Sequence, residues 1–404
     1  MSRAPSFRER LPAWFLSVGL GLAVTIGTPS TRAGDPYTIE VPPRPDPIAE
    51  AWREAESRPP EPRTTAGQRK GKGRDEAPRP WERPNLMAST SLCEKFPHNP
   101  VLLLGKKGTF DAGHAEYPSV VTSRGLFWLF YSAYGKRHRW EIAAAVAPDG
   151  INWTKLGVVF APDTTAAAWD STTIAFPSVI VDLDAPPDER FRMWYAGKRG
   201  DLYDGFGYAT SPNGRDWHRR GRVLSTGPDG EWDGAQIVDP CVVRVGDGYR
   251  LYYCGSRDAH GLFAVGLAHS ADGMNWVKYP DNPIYELAEG KGPTGLYTAD
   301  VLLREDGSAI LFASAPSRAD DYEVHAVLSS DGLAFDPAGR QVVLAPSRDS
   351  TWDDAMVYGV EGLERGDHVY LWFNGIYDQN VTQGGEVGLA RVRTDELLRL
   401  LTVP

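Results

Sequence analysis

The chain has 404 residues, of which 42% are hydrophobic and 11% aromatic, enough for a large core. Its formal net charge is −10, and the part from Ser91 onward carries 29 basic against 42 acidic residues, a net of −13. That surface repels a phosphate backbone and makes nucleic acid a poor partner, while a neutral or basic polymer such as a polysaccharide remains compatible.

The first 33 residues follow signal-peptide grammar. Arg3, Arg8 and Arg10 precede an apolar run from Leu11 to Ile26, and Thr31-Arg32-Ala33 offers a small-residue site, which predicts cleavage after Ala33. The alternative is an uncleaved anchor, for which the run is short. Either way the body is expected to be exported, and no later stretch is apolar enough to span a bilayer. Residues 34–90 are rich in Pro and in both charges, ten basic and ten acidic, and read as a disordered linker with room for a short helix near Ile48–Ser57.

Residues 91–404 form the predicted domain, and its text repeats. The stretch from Ile237 to Arg257 reads as a strand (Val238 to Val245), a Gly-Asp-Gly turn at 246–248 and a second strand from Tyr249 to Cys254. Similar text surrounds Tyr117, Phe176, Ala299 and Gly359, giving five copies. A period of about 60 residues, each holding several strands, predicts an all-β fold, a five-bladed β-propeller. A second marker is a turn with Gly at 150, 214, 273 and 332, followed three residues later by an aromatic ring; its recurrence assigns it to the architecture. Phe110-Asp111, Trp169-Asp170, Trp232-Asp233 and Trp352-Asp353 also recur, and their Asp residues are expected to cap backbone.

The fifth copy lacks the turn marker and ends in VGLARVR (387–393) and a short helix, TDELLRLL. HNPVLLLG (98–105) matches the outer-strand text DNPIYEL of the third copy, so an N-terminal strand is expected to close the ring by pairing into the last blade. Of the three Cys, Cys241 is expected opposite Tyr253, which turns Cys254 to the other face and disfavours a disulfide between them. Buried free thiols follow. No metal site of Cys/His type is visible and no cofactor is expected; an axial calcium ion is compatible but has no visible ligand set.

Features that do not repeat are candidates for chemistry. Along the starts of the inner strands four acids stand alone in their columns: Glu116, Asp239, Asp300 and Glu361. Carboxylates converging on an axial pocket suit glycosidic cleavage, in which one acid protonates the leaving oxygen and another activates water or attacks the anomeric carbon. The connections between second and third strands supply side chains that bind sugar hydroxyls: Lys198, Asp201, Arg257, Asp258, His260, Tyr377, Asp378 and Asn380. Trp140 and Tyr203 could stack on sugar rings.

The text "Pro-Ser-Val-Ile … Met-Trp-Tyr-Ala-Gly … Gly-Tyr-Ala-Thr-Ser-Pro-Asn-Gly-Arg-Asp-Trp" and "Val-Asp-Pro-Cys-Val" resembles the five-bladed glycosidase superfamily of glycoside hydrolase families 43, 32, 62 and 68, over residues 98–393. The resemblance implies three acids: an Asp base or nucleophile, an Asp that tunes the pKa, and a Glu acid. Asp239 looks like an Asp-Pro acid of that superfamily. Glu361-Gly362 is similar to its Glu-Gly-Pro acid, with Leu363 in place of Pro. Tyr117-Pro118 stands where an Asp-Pro is expected, which leaves Glu116 or Asp111 to substitute. The expectation is an exported, monomeric glycoside hydrolase or transglycosidase acting on a carbohydrate substrate, such as a furanoside-containing polysaccharide. The alternatives are a non-catalytic carbohydrate-binding propeller and a sialidase-like hydrolase; the latter needs an Arg cluster and a Tyr nucleophile.

Overall fold

The computed structural model describes residues 46–58, 91–165, 167–259, 263–287, 296–317, 322–347, 352–377 and 384–402. The expected signal peptide and most of the expected linker lie outside them. Helix α1 (Pro47–Glu56) and the short strand β1 (Glu94–Lys95) come first. Three separate four-stranded antiparallel sheets follow. The first holds β2 (His114–Ser123), β3 (Leu126–Tyr134), β4 (Trp140–Ala147) and β5 (Thr154–Phe160). The second holds β6 (Thr173–Val181), β7 (Phe191–Lys198), β8 (Gly205–Ser211) and β9 (His218–Ser225), and the third β10 (Gln236–Val245), β11 (Gly248–Ser256), β12 (Phe263–Ser270) and β13 (Val277–Lys278).

The remaining strands make one eight-stranded sheet that a single parallel bridge, Tyr322 to Met356, divides in two. One half is β14 (Thr298–Leu303), β15 (Ala309–Pro316), β16 (Tyr322–Ser329) and β17 (Gln341–Leu344). The other is β18 (Met356–Arg365), β19 (His368–Ile376) and β20 (Glu386–Arg393), with β1 on its outer edge; helix α2 (Thr394–Leu401) ends the chain. This nearly all-β pattern of antiparallel groups of four is consistent with a propeller. The second strand of each group packs on both faces and accordingly reads as an unbroken apolar run, as in LFWLFYSAY of β3.

The expected N-terminal strand does pair into the last group, but its regular ladder lies at Glu94–Lys95, ahead of the matching text. That text continues the edge: Leu102 bridges Val387, and the Asn99 side chain both donates to and accepts from the Leu389 backbone. Asn282 does the same to Leu267 in the third sheet, so the shared Asn-Pro text marks a shared edge lock.

The recurring Asp residues are structural, though their partners are side chains rather than the expected backbone groups. Each is buried and receives a cation from the outermost strand of its own sheet: Asp111 from Lys155, Asp170 from Arg219, Asp233 from Lys278 and Asp353 from Lys95. In the first three a Tyr hydroxyl of the second strand also donates (Tyr131, Tyr195, Tyr253). The repeated turns behave as expected. Asp149, Asn213, Asp272 and Asp331 accept backbone N–H groups just downstream, and the Gly that follows each has φ between 67° and 78°. The ring of a neighbouring sheet then donates to three of those Gly carbonyls: Trp372 to Gly150, Trp194 to Gly273 and Tyr252 to Gly332.

Two expectations are corrected here. Residues 46–58 are part of the body: Ile48 and Trp52 on α1 are fully buried, Trp52 lies against Phe96 and under Arg391, and Asp46 receives Arg365 and Tyr370. Cys241 pairs with Tyr252, not Tyr253, because the hairpin turn is the two residues 246–247. Cys254 pairs with Val238, and all three Cys are buried free thiols.

Lys95→Ala removes the cation from a fully buried Asp353 and should cost about 3 kcal/mol. Urea unfolding measures it. An unchanged midpoint would show that β1 does not hold the last sheet.

Candidate active site

The first strand of each group lies next to the first strand of the following group, and a set of hydrogen bonds links them side chain to backbone. Val179 N–H donates to Ser119 Oγ (3.0 Å), Val242 N–H to Ser178 Oγ (2.9 Å) and Val301 N–H to Cys241 Sγ (3.4 Å). Gly362 N–H donates to Asp300 Oδ2 (3.0 Å), and Val120 N–H, back on the first strand, to Glu361 Oε1 (3.2 Å). These five side chains occupy one level, opposite Phe130, Trp194, Tyr252, Phe312 and Trp372.

Asp300 therefore stands level with Ser119 and Glu361, although matching the repeated strand text aligns it with Pro118, Pro177 and Pro240, one place earlier. The reason is a missing residue. β2, β6, β10 and β18 each carry a bulge, at Tyr117, Phe176, Asp239 and Gly359, with φ of 55° to 57°, whereas β14 runs straight.

Asp239 sits at such a bulge, one level nearer the strand starts, and its Oδ2 accepts the Ala299 N–H at 2.8 Å. Burial, with nearby Asp300 adding to it, pushes its pKa from the ordinary 3.8 up to about 8. Glu361 is raised well above the usual carboxyl range by burial, by Asp300 and then by Asp239, and Asp300 is raised by burial. Asp300 is buried, while Asp239 and Glu361 keep one side open and are enclosed on the others. Three acids this close cannot all ionise, so the cluster holds protons at neutral pH. The same surroundings keep Cys241 a thiol.

Of the four acids singled out from the sequence, the structure brings Asp239, Asp300 and Glu361 together and leaves Glu116 apart. A cavity of about 280 Å³ is lined by Ser119, Ser178, Cys241, Asp300 and Glu361, and extends between Val and Leu side chains towards Leu303 and Arg244. It thus runs towards the ends of the inner strands, so Asp300 and Glu361 lie deeper than the strand starts where they were expected.

Glu116, at the opposite end, is buried and accepts the Gly385 N–H (2.8 Å), pairs with His114 Nδ1 (2.7 Å) and receives the Tyr358 hydroxyl. Between Glu116 and the cluster lies an aromatic layer, of which sequence reasoning named Tyr203 and missed Tyr117, Phe176 and Tyr297. The Tyr117 and Phe176 rings are 4.1 Å apart, Tyr203 abuts Phe176, and the Tyr117 and Tyr297 hydroxyls are 3.0 Å apart. The signal was present, since Tyr117 and Phe176 occupy the bulge position that Asp239 takes in the third sheet. Tyr297 touches both sides electrostatically, feeling Glu116 and Asp239.

The described ones among the predicted loop residues lie at this same end, because Tyr134, Lys198, Ser256 and Ile376 pair with the first residues of their inner strands. Lys198 donates to the Asp201 carbonyl (2.7 Å) and lies 4.9 Å above the Tyr203 ring, and burial lowers its pKa. Trp140 packs on His114 and Tyr134. Arg257 is exposed, Asp258 is tied through its backbone to Ser256, and Tyr377 is 48% exposed. His260, Asp378 and Asn380 lie outside the described residues. Among the described residues, no group of three His, Cys, Asp or Glu is arranged to hold a metal ion, and no helix is long and apolar enough to cross a membrane.

No known family matches the chain by sequence profile. The chain is 26% identical over 196 residues to an uncharacterized protein of Mycobacterium tuberculosis, a match that takes in 45% of this chain and 60% of that relative. It thus spans 60% of the relative's length, less than two thirds. Among solved structures, one described as a glycoside hydrolase superposes with a TM-score of 0.59 at 19% identity, covering 72% of this chain and 90% of that one. A second has a TM-score of 0.57 at 17% identity, covering 77% and 96%; it is described with the statement that the GH130 family of mannoside phosphorylases contains glycoside hydrolases that target β-1,2 mannosidic linkages in Candida mannan. A third, a family 117 glycoside hydrolase from Zobellia galactanivorans, gives 0.53 at 20% identity, covering 72% and 88%. At these identities the likeness is one of fold.

The cluster has a thermodynamic signature. Between pH 4 and pH 8 the folded state keeps the Asp239 proton that the unfolded chain releases, so stability falls as pH rises through that window. Asp239→Asn removes this term. Its thermal midpoint should exceed that of the parent by a few degrees at pH 8 and match it more closely at pH 4. Parallel curves for the two proteins would rule out a raised Asp239.

Proposed function

We propose that the protein is an exported glycoside hydrolase or transglycosidase, built as a five-bladed propeller closed by its N-terminal strand, that works at the end of the axis where the inner strands begin. The observation that carries this reading is Asp239: an acid at a strand bulge, its carboxyl pKa pushed up by burial, beside an aromatic layer and close to Asp300 and Glu361. The shared fold with named glycoside hydrolases supports it.

In this reading the sugar ring stacks on Tyr117, Phe176 or Tyr203, and Lys198 and Tyr377 meet its hydroxyls. Asp239 gives its proton to the leaving glycosidic oxygen, and the Ala299 N–H stabilises the carboxylate that forms. Glu116 takes a proton from the water that attacks the anomeric carbon, with His114 holding its orientation. Asp300 and Glu361 do not touch substrate; burial, with Asp300 adding to it, keeps Asp239 in its acid form.

A second reading is a non-catalytic carbohydrate-binding propeller. It is favoured by the aromatic rings of Tyr117 and Phe176 at the bulge positions equivalent to Asp239, which suit stacking more than proton transfer.

A panel of polysaccharides, furanoside-containing ones included, separates the two. Asp239→Asn and Glu116→Gln should each lower turnover about 100-fold or more with binding retained. Parent turnover should also decline above about pH 8, where Asp239 loses its proton. Saturable binding of a glycan with no turnover by the parent would select the second reading.

A further inference from the structure

Repeated features serve the architecture of this body, so a cavity lined by two arginines and by a connection longer than those of the other sheets is informative. One such cavity, of about 180 Å³, lies between the first and second sheets at the hairpin end, remote from Glu116. Thr122, Ser123 and Arg124 form one side, Arg190 another, and Val181, Leu183, Phe191 and Pro212 an apolar wall. The space is far more than one water needs.

Three observations set it apart. The connection between β6 and β7, residues 182–190, is longer than the two-residue turns 124–125, 246–247 and 366–367, and it brings Leu183, 73% exposed, to the rim. Arg190 has a buried Nε with no hydrogen-bond partner among the described residues, a costly state for a charged donor. Arg124 has φ 52° at the turn position where Gly246 and Gly366 adopt 57° and 62°, so the chain keeps a strained Arg where glycine would sit freely. Two guanidinium groups, two hydroxyls and an apolar wall line the pocket, and the four acids of the 182–190 connection, Asp182, Asp184, Asp188 and Glu189, are not part of that lining.

We propose that this pocket binds a small organic acid: a carboxylate carried on a ring with an apolar face. The carboxylate meets the Arg124 and Arg190 guanidinium forks and the Ser123 hydroxyl. The ring lies on Phe191, Leu183 and Pro212. An acidic sugar and an aromatic acid both fit this chemistry, and the pocket shares no lining residue with the axial cavity.

The test is calorimetric titration of the full chain with glucuronate and with benzoate, against glucose and benzyl alcohol as uncharged counterparts. At least one acid should saturate with a Kd on the order of 1 mM, and the tighter of the two identifies the source as acidic sugar or aromatic acid. Arg190→Met should weaken that binding about tenfold. Arg124→Gly provides an opposite-sign check: relief of the turn should raise Tm while binding weakens. Failure of both acids to saturate, equal binding of the uncharged counterparts, or unchanged affinity in the two Arg variants would overturn the proposal.

Discussion

The centre of this molecule is governed by one constraint: a backbone N–H on each inner strand points across to the neighbouring strand, where no ladder partner exists. An orphaned amide there costs too much to tolerate, so each strand lends a side-chain acceptor to the next. Ser119, Ser178, Cys241, Asp300 and Glu361 are the residues that serve. Hydroxyl, thiol and carboxyl are equivalent for that purpose. They are not equivalent for anything else, and this freedom lets two acids line the central cavity without disturbing the frame.

The same economy appears farther out. Each buried Asp of the aromatic-Asp pairs takes a cation from its outermost strand, and in three sheets a Tyr hydroxyl as well, so a single side chain spans the full width of a sheet. Carboxylates alone are therefore a poor marker of chemistry in this fold. Asp111 and Asp233 are ion-paired and buried as structure, whereas Asp239 has only an amide and other acids for company.

The repeats, the antiparallel pairing and the N-terminal edge strand were legible because strand and turn text recurs with little change. What failed was register, by one residue each time. A bulge adds a residue without altering hydrophobic alternation beyond it, so the straight run of β14 was indistinguishable from its bulged relatives and Asp300 was placed one column early. The Tyr252–Cys241 pairing was misjudged for a related reason, a turn shorter by one than its glycines suggested. Helix α1 was expected near Ile48–Ser57, but its docking was hidden by composition: a Pro- and charge-rich stretch looks like a linker, yet Ile48 and Trp52 supply enough apolar surface to bury one face of the helix. Tyr203 was named from its loop, but Tyr117 and Phe176 were overlooked because the search along the inner strands was for charge, and they carry none.

The edge formed by Lys95 has a consequence for biogenesis. Its partner Asp353 lies 258 residues downstream, so the last sheet stays incomplete until nearly the whole chain has left the ribosome. Loop closure over such a distance comes late and joins both ends in a single step. Once made, that clasp means that loss of β1 alone strips the buried Asp353 of its cation and the outer edge of β20 of its partner.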